Sequence, residues 1–319
     1  MKKLLYINDY ACTPDVVEQC RNGHYPESHL WGIKEFVDKN GTESLRWHQA
    51  RKSKGCFRRL KHVLENIRIF LKYSGCDVIY SALPGYEWAF LLAKRLKLKN
   101  YRIITVVHHP GTRLPLAGFY DKLIFISKVA DNRFAALPNG EYLFWGTSLN
   151  VKQINRVNPE FDFVSAGKTH RDYDLMKTVM APHGIRYKIF GAKSSTKNEI
   201  TYPELMRFYE KSKFICIPMK EVQPINSVLI GLTSFVDAVA LGIPVLMSDN
   251  SLIGVDVEGL GLGKIYKTGN AADFEKQMSS LMELTDDEYK AMCGNCLEFS
   301  RKNSFEKFSK RINELINEN

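Results

Sequence analysis

Ile103-Ile104-Thr105-Val106-Val107 is an almost unbroken apolar run. A strand reads this way when helices cover both faces of its sheet, which is the situation in parallel sheets. Similar short runs recur at Leu4–Ile7, Asp77–Tyr80 and Lys122–Ile126, with amphipathic helical patterns between them, as in Glu87–Leu96. A second series begins near residue 160. Phe161–Ser165, Tyr187–Phe190, Phe214–Ile217 and Pro244–Met247 read as strands, and Asp172–Met180, Tyr202–Lys211 and Leu232–Leu241 as helices. This alternation predicts an α/β fold with mostly parallel sheets. Two successive series predict two Rossmann-like domains, spanning residues 1–155 and 156–303. The polar stretch Gly146–Asn158 is the expected boundary. A last helix, about Ser304–Ile316, needs a surface to pack on, and residues 304–319 are expected to return to the N-terminal domain. In such folds ligands sit at the carboxyl ends of the strands, and a cleft between two domains is the default site.

Composition narrows the class. No stretch reaches the roughly 18 apolar residues of a membrane helix. The first residues turn polar too soon for a signal peptide and read as a strand. The seven cysteines are odd in number and irregularly spaced, which fits a reducing compartment. Cys293-Gly294-Asn295-Cys296 stands alone, without the second ligand pair a zinc site needs. The net charge of +10 points to an anionic partner. No nucleic-acid-binding module accompanies it, so nucleic acid is not the expected partner.

The most informative segment is Gly231–Pro244. Gly231 stands in a loop that leads into a helix beginning near Thr233 or Ser234. Thr and Ser cap free backbone N–H groups, and a helix N-terminus suits a diphosphate. Glycine lets the backbone approach a ligand closely. Asp237 falls about one turn inside, where a carboxylate can accept two ribose hydroxyls. An ordinary capped helix with a favourable first-turn acid explains the same residues equally well.

Asp237-Ala-Val-Ala-Leu-Gly-Ile-Pro-Val resembles the donor motif of GT-B glycosyltransferases, above all retaining family 4. The family form is Glu, seven residues, then Glu-Ala-Met-Ala-x-Gly-x-Pro-Val. The resemblance gives Asp237 the ribose contact. The family's first acid, which meets the donor sugar, would fall on Leu229, a departure. Glu221 in the preceding loop is an acid that can substitute, at a different spacing. Phe163–Tyr173 resembles the strand and loop opening the donor domain, which places Lys168 and Arg171 on the diphosphate. Ile200–Pro218 resembles the base-binding loop, with Ile200 and Thr201 facing the nucleobase. Asp172-Tyr-Asp174 matches a metal-binding DxD by letter but reads as helix-start acids. The resemblance therefore implies a metal-independent reaction with a nucleoside diphosphate sugar as donor and no separate cofactor.

In the first series, His108-His109 follows the strand ending at Val107, where the family carries a histidine that contacts the donor sugar or its phosphates. His109 is preferred, with His108 as the alternative. Asp9-Tyr-Ala-Cys12 occupies the usual Gly-rich first loop without a glycine, and His29 reads as a helix-start residue. The stretch Arg51–Lys72 holds eight Lys or Arg, with Phe57, Leu60, Leu64, Ile67 and Leu71 at helical spacing. Those apolar residues can face the core with a solvated basic back, or the helix can meet anionic lipid.

The resemblance implies a glycosyltransferase that moves a sugar from a nucleoside diphosphate sugar to an acceptor hydroxyl, with retention. The expected setting is cell-surface polysaccharide or lipid-linked glycan assembly, in the cytoplasm or peripheral on the inner face of the membrane. Two alternatives share the donor pocket: a GT-B sugar-nucleotide epimerase and a non-catalytic nucleotide-sugar-binding subunit.

Overall fold

The structure is a computed structural model that describes residues 3–10, 12–41, 45–50, 57–114, 116–129, 137–149, 159–191, 200–222 and 229–318. The basic start of the 51–72 stretch, residues 51–56, and most of the expected boundary, residues 150–158, lie outside these. The chain divides into two compact units, Met1–Trp145 together with Phe305–Asn319, and Gly146–Ser304.

The first unit is built on six parallel strands: β1 Leu4–Asn8, β2 Leu45–Gln49, β3 Val78–Ser81, β4 Arg102–Val107, β5 Lys122–Phe125 and β6 Gly140–Tyr142. Their order is β2-β1-β3-β4-β5-β6. Direction along the sheet reverses between β1 and β3. The central strands β1 and β3 are buried at every position, as their apolar runs require. The edge strands escape the sequence reading: Leu45–Gln49 is buried only at Leu45, and Gly140–Tyr142 is three residues long. Helices α1 Pro14–Arg21, α2 Ile33–Asn40, α3 Arg58–Tyr73 and α4 Trp88–Arg95 belong to this unit.

The last helix of the chain also belongs to it. In chain order it is α10, Phe305–Asn317, and it buries Phe305, Phe308, Ile312, Leu315 and Ile316. Each such side chain is worth about 2 kcal/mol of burial. It crosses α2 closely. Gly32 has φ +84°, and a Cβ there would lie 3.1 Å from Ser309 Cα. Asn313 Nδ2 donates to the Gly32 carbonyl at 3.0 Å. Arg311 grips Glu141 with two bonds of 2.6 and 2.9 Å, a forked pairing that fixes direction as well as distance.

Helix α3 reverses one expectation. Phe57, Leu60, Leu64, Ile67 and Leu71 do not face the core; they are 40–71% exposed. The covered side carries Asn66 and Ile69, with His62, Phe70 and Tyr73 half-buried. Asn66 Nδ2 donates to the Gly85 carbonyl at 3.2 Å, so a polar bond anchors this face.

The second unit has five parallel strands: β7 Phe161–Ala166, β8 Tyr187–Phe190, β9 Ser212–Ile217, β10 Val245–Ser248 and β11 Gly263–Tyr266. Their order is β11-β10-β9-β7-β8. Here the reversal lies between β7 and β9, and in open α/β sheets the carboxyl ends at such a reversal are where ligand crevices form. The helices are α5 Tyr173–Met180, α6 Tyr202–Glu210, α7 Leu232–Ala240, α8 Ala271–Met282 and α9 Asp286–Lys302. Cys293 and Cys296 lie on α9, where Cys296 Sγ donates to the Leu262 carbonyl at 3.7 Å.

Candidate functional site

The carboxyl ends of β7 and β9 bring together residues far apart in sequence. The loop after β7 starts at Gly167, with φ +131°, and turns back to Arg171. A Cβ on Gly167 would lie 2.7 Å from the Arg171 guanidinium, so the glycine makes room for it. Arg171 Nε donates to the Ala166 carbonyl at 3.0 Å and Nη2 to Ser234 Oγ at 3.1 Å. Nη1 lies 2.7 Å from the Met219 sulfur and 3.4 Å from the Thr169 carbonyl. None of these partners carries a charge. Burial lowers the Arg171 pKa from its ordinary value, yet guanidinium remains cationic at any working pH. A half-buried cation held by neutral dipoles has the charge and the donors to take up an anion.

Ser234 ties this cation to α7. The sequence expectation that Thr233 or Ser234 caps the helix is corrected here. The helix begins at Leu232, and Gly231 is its N-cap, with φ +82° and no side-chain cap. A Cβ on Gly231 would lie 2.9 Å from Ile217 Cγ2, so conformation and space both demand glycine. Ser234 Oγ instead donates to the Ala166 carbonyl at 3.3 Å. Thr233 is exposed in the first turn. The start of α7, with the unpaired N–H groups every helix start has, therefore lies beside Arg171.

Asp237, one turn further, is 4% exposed. Its Oδ1 accepts from Thr147 Oγ1 at 2.6 Å and Tyr202 OH at 3.0 Å. Burial pushes its carboxyl up from 3.8 to about 6, against the lowering effect of the two hydroxyls. Thr201 caps α6, its hydroxyl and backbone N–H both bonded to Glu204. Ile200 just before it is half-buried, while Lys168 and Glu221 are exposed. Asp172 caps α5 by accepting from the Leu175 N–H at 3.3 Å. Tyr173 OH donates to the Gly167 carbonyl at 2.6 Å and stiffens the loop that carries Arg171.

In the first unit, His108 follows β4. Its ring stacks on Trp31 at 4.3 Å, and Trp31 stacks on Trp145 at 4.9 Å. His29 stacks on Tyr10 at 4.6 Å and lies parallel to Trp145 at 6.5 Å. Burial drives the His29 pKa down from 6.5 to about 4, so this imidazole is neutral at pH 7. His109 is exposed.

No known family profile matches this chain, and no curated protein matches it. Solved structures do. Anabaena Alr3699/HepE in complex with UDP and glucose superposes with a TM-score of 0.60 at 12% identity, covering 98% of this chain and 99% of that one. The lipopolysaccharide outer core galactosyltransferase WaaB gives 0.58 at 12% identity, over 99% of each chain. A UDP-forming α,α-trehalose-phosphate synthase from Burkholderia vietnamiensis gives 0.67 at 9% identity, covering 99% and 97%. The chain has the GT-B fold.

Within the GT-B fold, the structure unites Arg171, Ser234 and Gly231 at one crevice. Asp237 stands behind them with Tyr202 and Thr147, two partners the sequence did not suggest. Leu229, where the resemblance expects an acid, is a buried apolar side chain. Trp31 and Trp145 were missed as well. Trp31 adopts φ +51°, a strained backbone for a bulky residue, and nothing in a one-dimensional pattern announces it.

Proposed function

We propose that this chain is a glycosyltransferase that moves a sugar from a nucleoside diphosphate sugar to an acceptor hydroxyl. The observation that carries the reading is the Arg171 guanidinium, bonded among the described residues to neutral groups alone, beside the start of α7 at the switch point of the second sheet. A diphosphate supplies the missing charge. Negative charge grows on it as the sugar leaves, and a preorganised cation with a helix end stabilises that charge best when it is largest. Lys168 is a second cation in the same loop. The reaction proposed is metal-independent, because these groups do the work a divalent cation does elsewhere.

Other roles follow the family resemblance. Asp237 serves the ribose, Ile200 and Thr201 the base, and His109, or His108, the donor sugar. Glu221 stands in for the acid missing at Leu229. Retention of configuration and a role in cell-surface or lipid-linked glycan assembly belong to the same reading. The HepE structures are complexes with UDP and with UDP-glucose, which favours a uridine donor as the first to test.

The test is a thermal-shift panel of nucleoside diphosphates and their sugars, followed by product analysis. A ligand of the native state raises the melting temperature by mass action. One base is expected to stand out, and its sugar to appear on an acceptor. No stabilisation by any nucleotide would remove the reading. Leu229 favours a second reading, a binding subunit without turnover, which predicts nucleotide binding and no transferred, hydrolysed or epimerised sugar.

A further inference from the structure

The outward side of α3 is apolar along its length. Phe57, Leu60, Val63, Leu64, Ile67 and Leu71 are all exposed, Leu71 by 71%. At about 100° per residue they fall on a single arc of the helix. Lys61, Arg68 and Lys72 fall in a row along one border of that arc, also exposed. Beyond the cations lies an open groove of about 660 Å³ between α3 and the edge strand β2, lined in part by His48, Gln49, Lys61, Arg68 and Lys72. A second groove, about 470 Å³, continues past Lys72 to Arg46 and the exposed Trp47 on β2.

Single exposed leucines are ordinary, but a contiguous row of this length on one helix marks an interaction surface. The chemistry selects the partner. Apolar side chains flanked by a row of cations, with a tryptophan beside them, match the layers of an anionic bilayer: acyl boundary, then phosphate, then the headgroup level where indoles collect. In an antiparallel two-fold contact between copies, the two rows of cations would lie on the same side of the contact and repel one another. No helix among the described residues is long and apolar enough to cross a membrane, so any bilayer contact made by α3 would run along the surface.

We propose that α3 and the adjoining edge of β2 form a docking surface for an anionic lipid bilayer. Leu60, Leu64, Ile67 and Leu71 enter the headgroup boundary, and Lys61, Arg68 and Lys72 meet lipid phosphates. The helix lies in the membrane plane over about 24 Å, the length of its 16 residues. This inference goes beyond sugar transfer and stands without it, because α3 and the Arg171 crevice belong to different units.

The experiment is cosedimentation of the full chain with two kinds of vesicle, phosphatidylcholine alone and phosphatidylcholine mixed with phosphatidylglycerol. Binding is expected on the mixed vesicles, weakening with salt. Replacing Lys61, Arg68 and Lys72 together by Gln is expected to weaken it by about 100-fold, since each cation near an anionic surface contributes several-fold. The double variant Ile67→Glu, Leu71→Glu is expected to abolish binding with an unchanged melting temperature, because both side chains already face water. Failure of the parent to bind mixed vesicles overturns the proposal. So does equal binding by either variant. If the parent binds no vesicle but is a dimer that the double variant converts to monomer, the face is a protein interface and the proposal is wrong.

Discussion

Thr147 Oγ1 donates to Asp237 Oδ1 at 2.6 Å, across 90 residues of sequence. The bond joins the entry segment of the second unit to α7, and Tyr202 adds the start of α6 to the same oxygen at 3.0 Å. One buried carboxylate therefore holds three segments around the proposed nucleotide site.

That carboxylate makes stability depend on pH in a defined direction. The folded pKa of Asp237 is about 6 against an ordinary 3.8. The folded state thus holds the proton more tightly, and its contribution is complete below pH 4 and lost as pH rises through 6. The shift corresponds to about 3 kcal/mol. Asp237→Asn keeps an acceptor oxygen for Thr147 and Tyr202 but cannot ionise. Its stability relative to the parent should rise between pH 4 and pH 7, measured by denaturant unfolding at each pH. A difference independent of pH would contradict the buried, proton-holding carboxylate.

His29 should act with the opposite sign. Its folded pKa is about 4 against 6.5, so the unfolded chain takes up the proton first. Its contribution is complete above pH 6.5 and lost as pH falls toward 4. His29→Phe preserves the stacking surface toward Tyr10 and should make the protein less sensitive to acid over that window. Imidazole NMR provides the direct check, and a titration near pH 6.5 would show that the ring is not buried as described.

Arg171→Lys removes the fork while keeping a positive charge. Lysine cannot reach the Ala166 carbonyl, Ser234 and a phosphate together. Nucleoside diphosphate affinity is expected to fall by about 10-fold, and by up to about 100-fold for Arg171→Ala, the range for a lost charge-assisted contact. Calorimetry on variants whose circular dichroism matches the parent measures this. Affinities within twofold of the parent would move the phosphate site elsewhere.

Gly231→Ala combines a left-handed backbone, φ +82°, with a contact of 2.9 Å to Ile217 Cγ2. The strain is expected to cost about 1–3 kcal/mol and to shift the start of α7. Both the urea midpoint and nucleotide affinity should drop. An unchanged midpoint would mean the loop relaxes freely and does not need glycine.

Much of the architecture follows from residues read in order. The run Ile103–Val107 reads as a strand covered on both faces, and it forms β4, buried from Ile103 to Val107. The series of strands and helices emerges within a residue or two, because hydrophobic period is a local property of the chain. Gly231 and Arg171 stand out in the sequence as candidate site residues for the same reason, since a glycine before a helix and a cation after a strand are short-range signals.

What the tertiary structure decided concerns faces and partners. The stripe Phe57–Leu71 is visible in the sequence as an apolar arc, yet which arc is covered depends on how α3 meets its own unit. Asn66, bonded to the Gly85 carbonyl, takes the inward side, and the leucines are left outside. Asp237 likewise reads as an acid one turn into a helix. Its protonation and its partners come from Thr147 and Tyr202, which periodicity cannot place beside it. Local pattern determines which elements form. Burial, and with it the charge state and exposure of each side chain, depends on residues that meet only when the chain has folded.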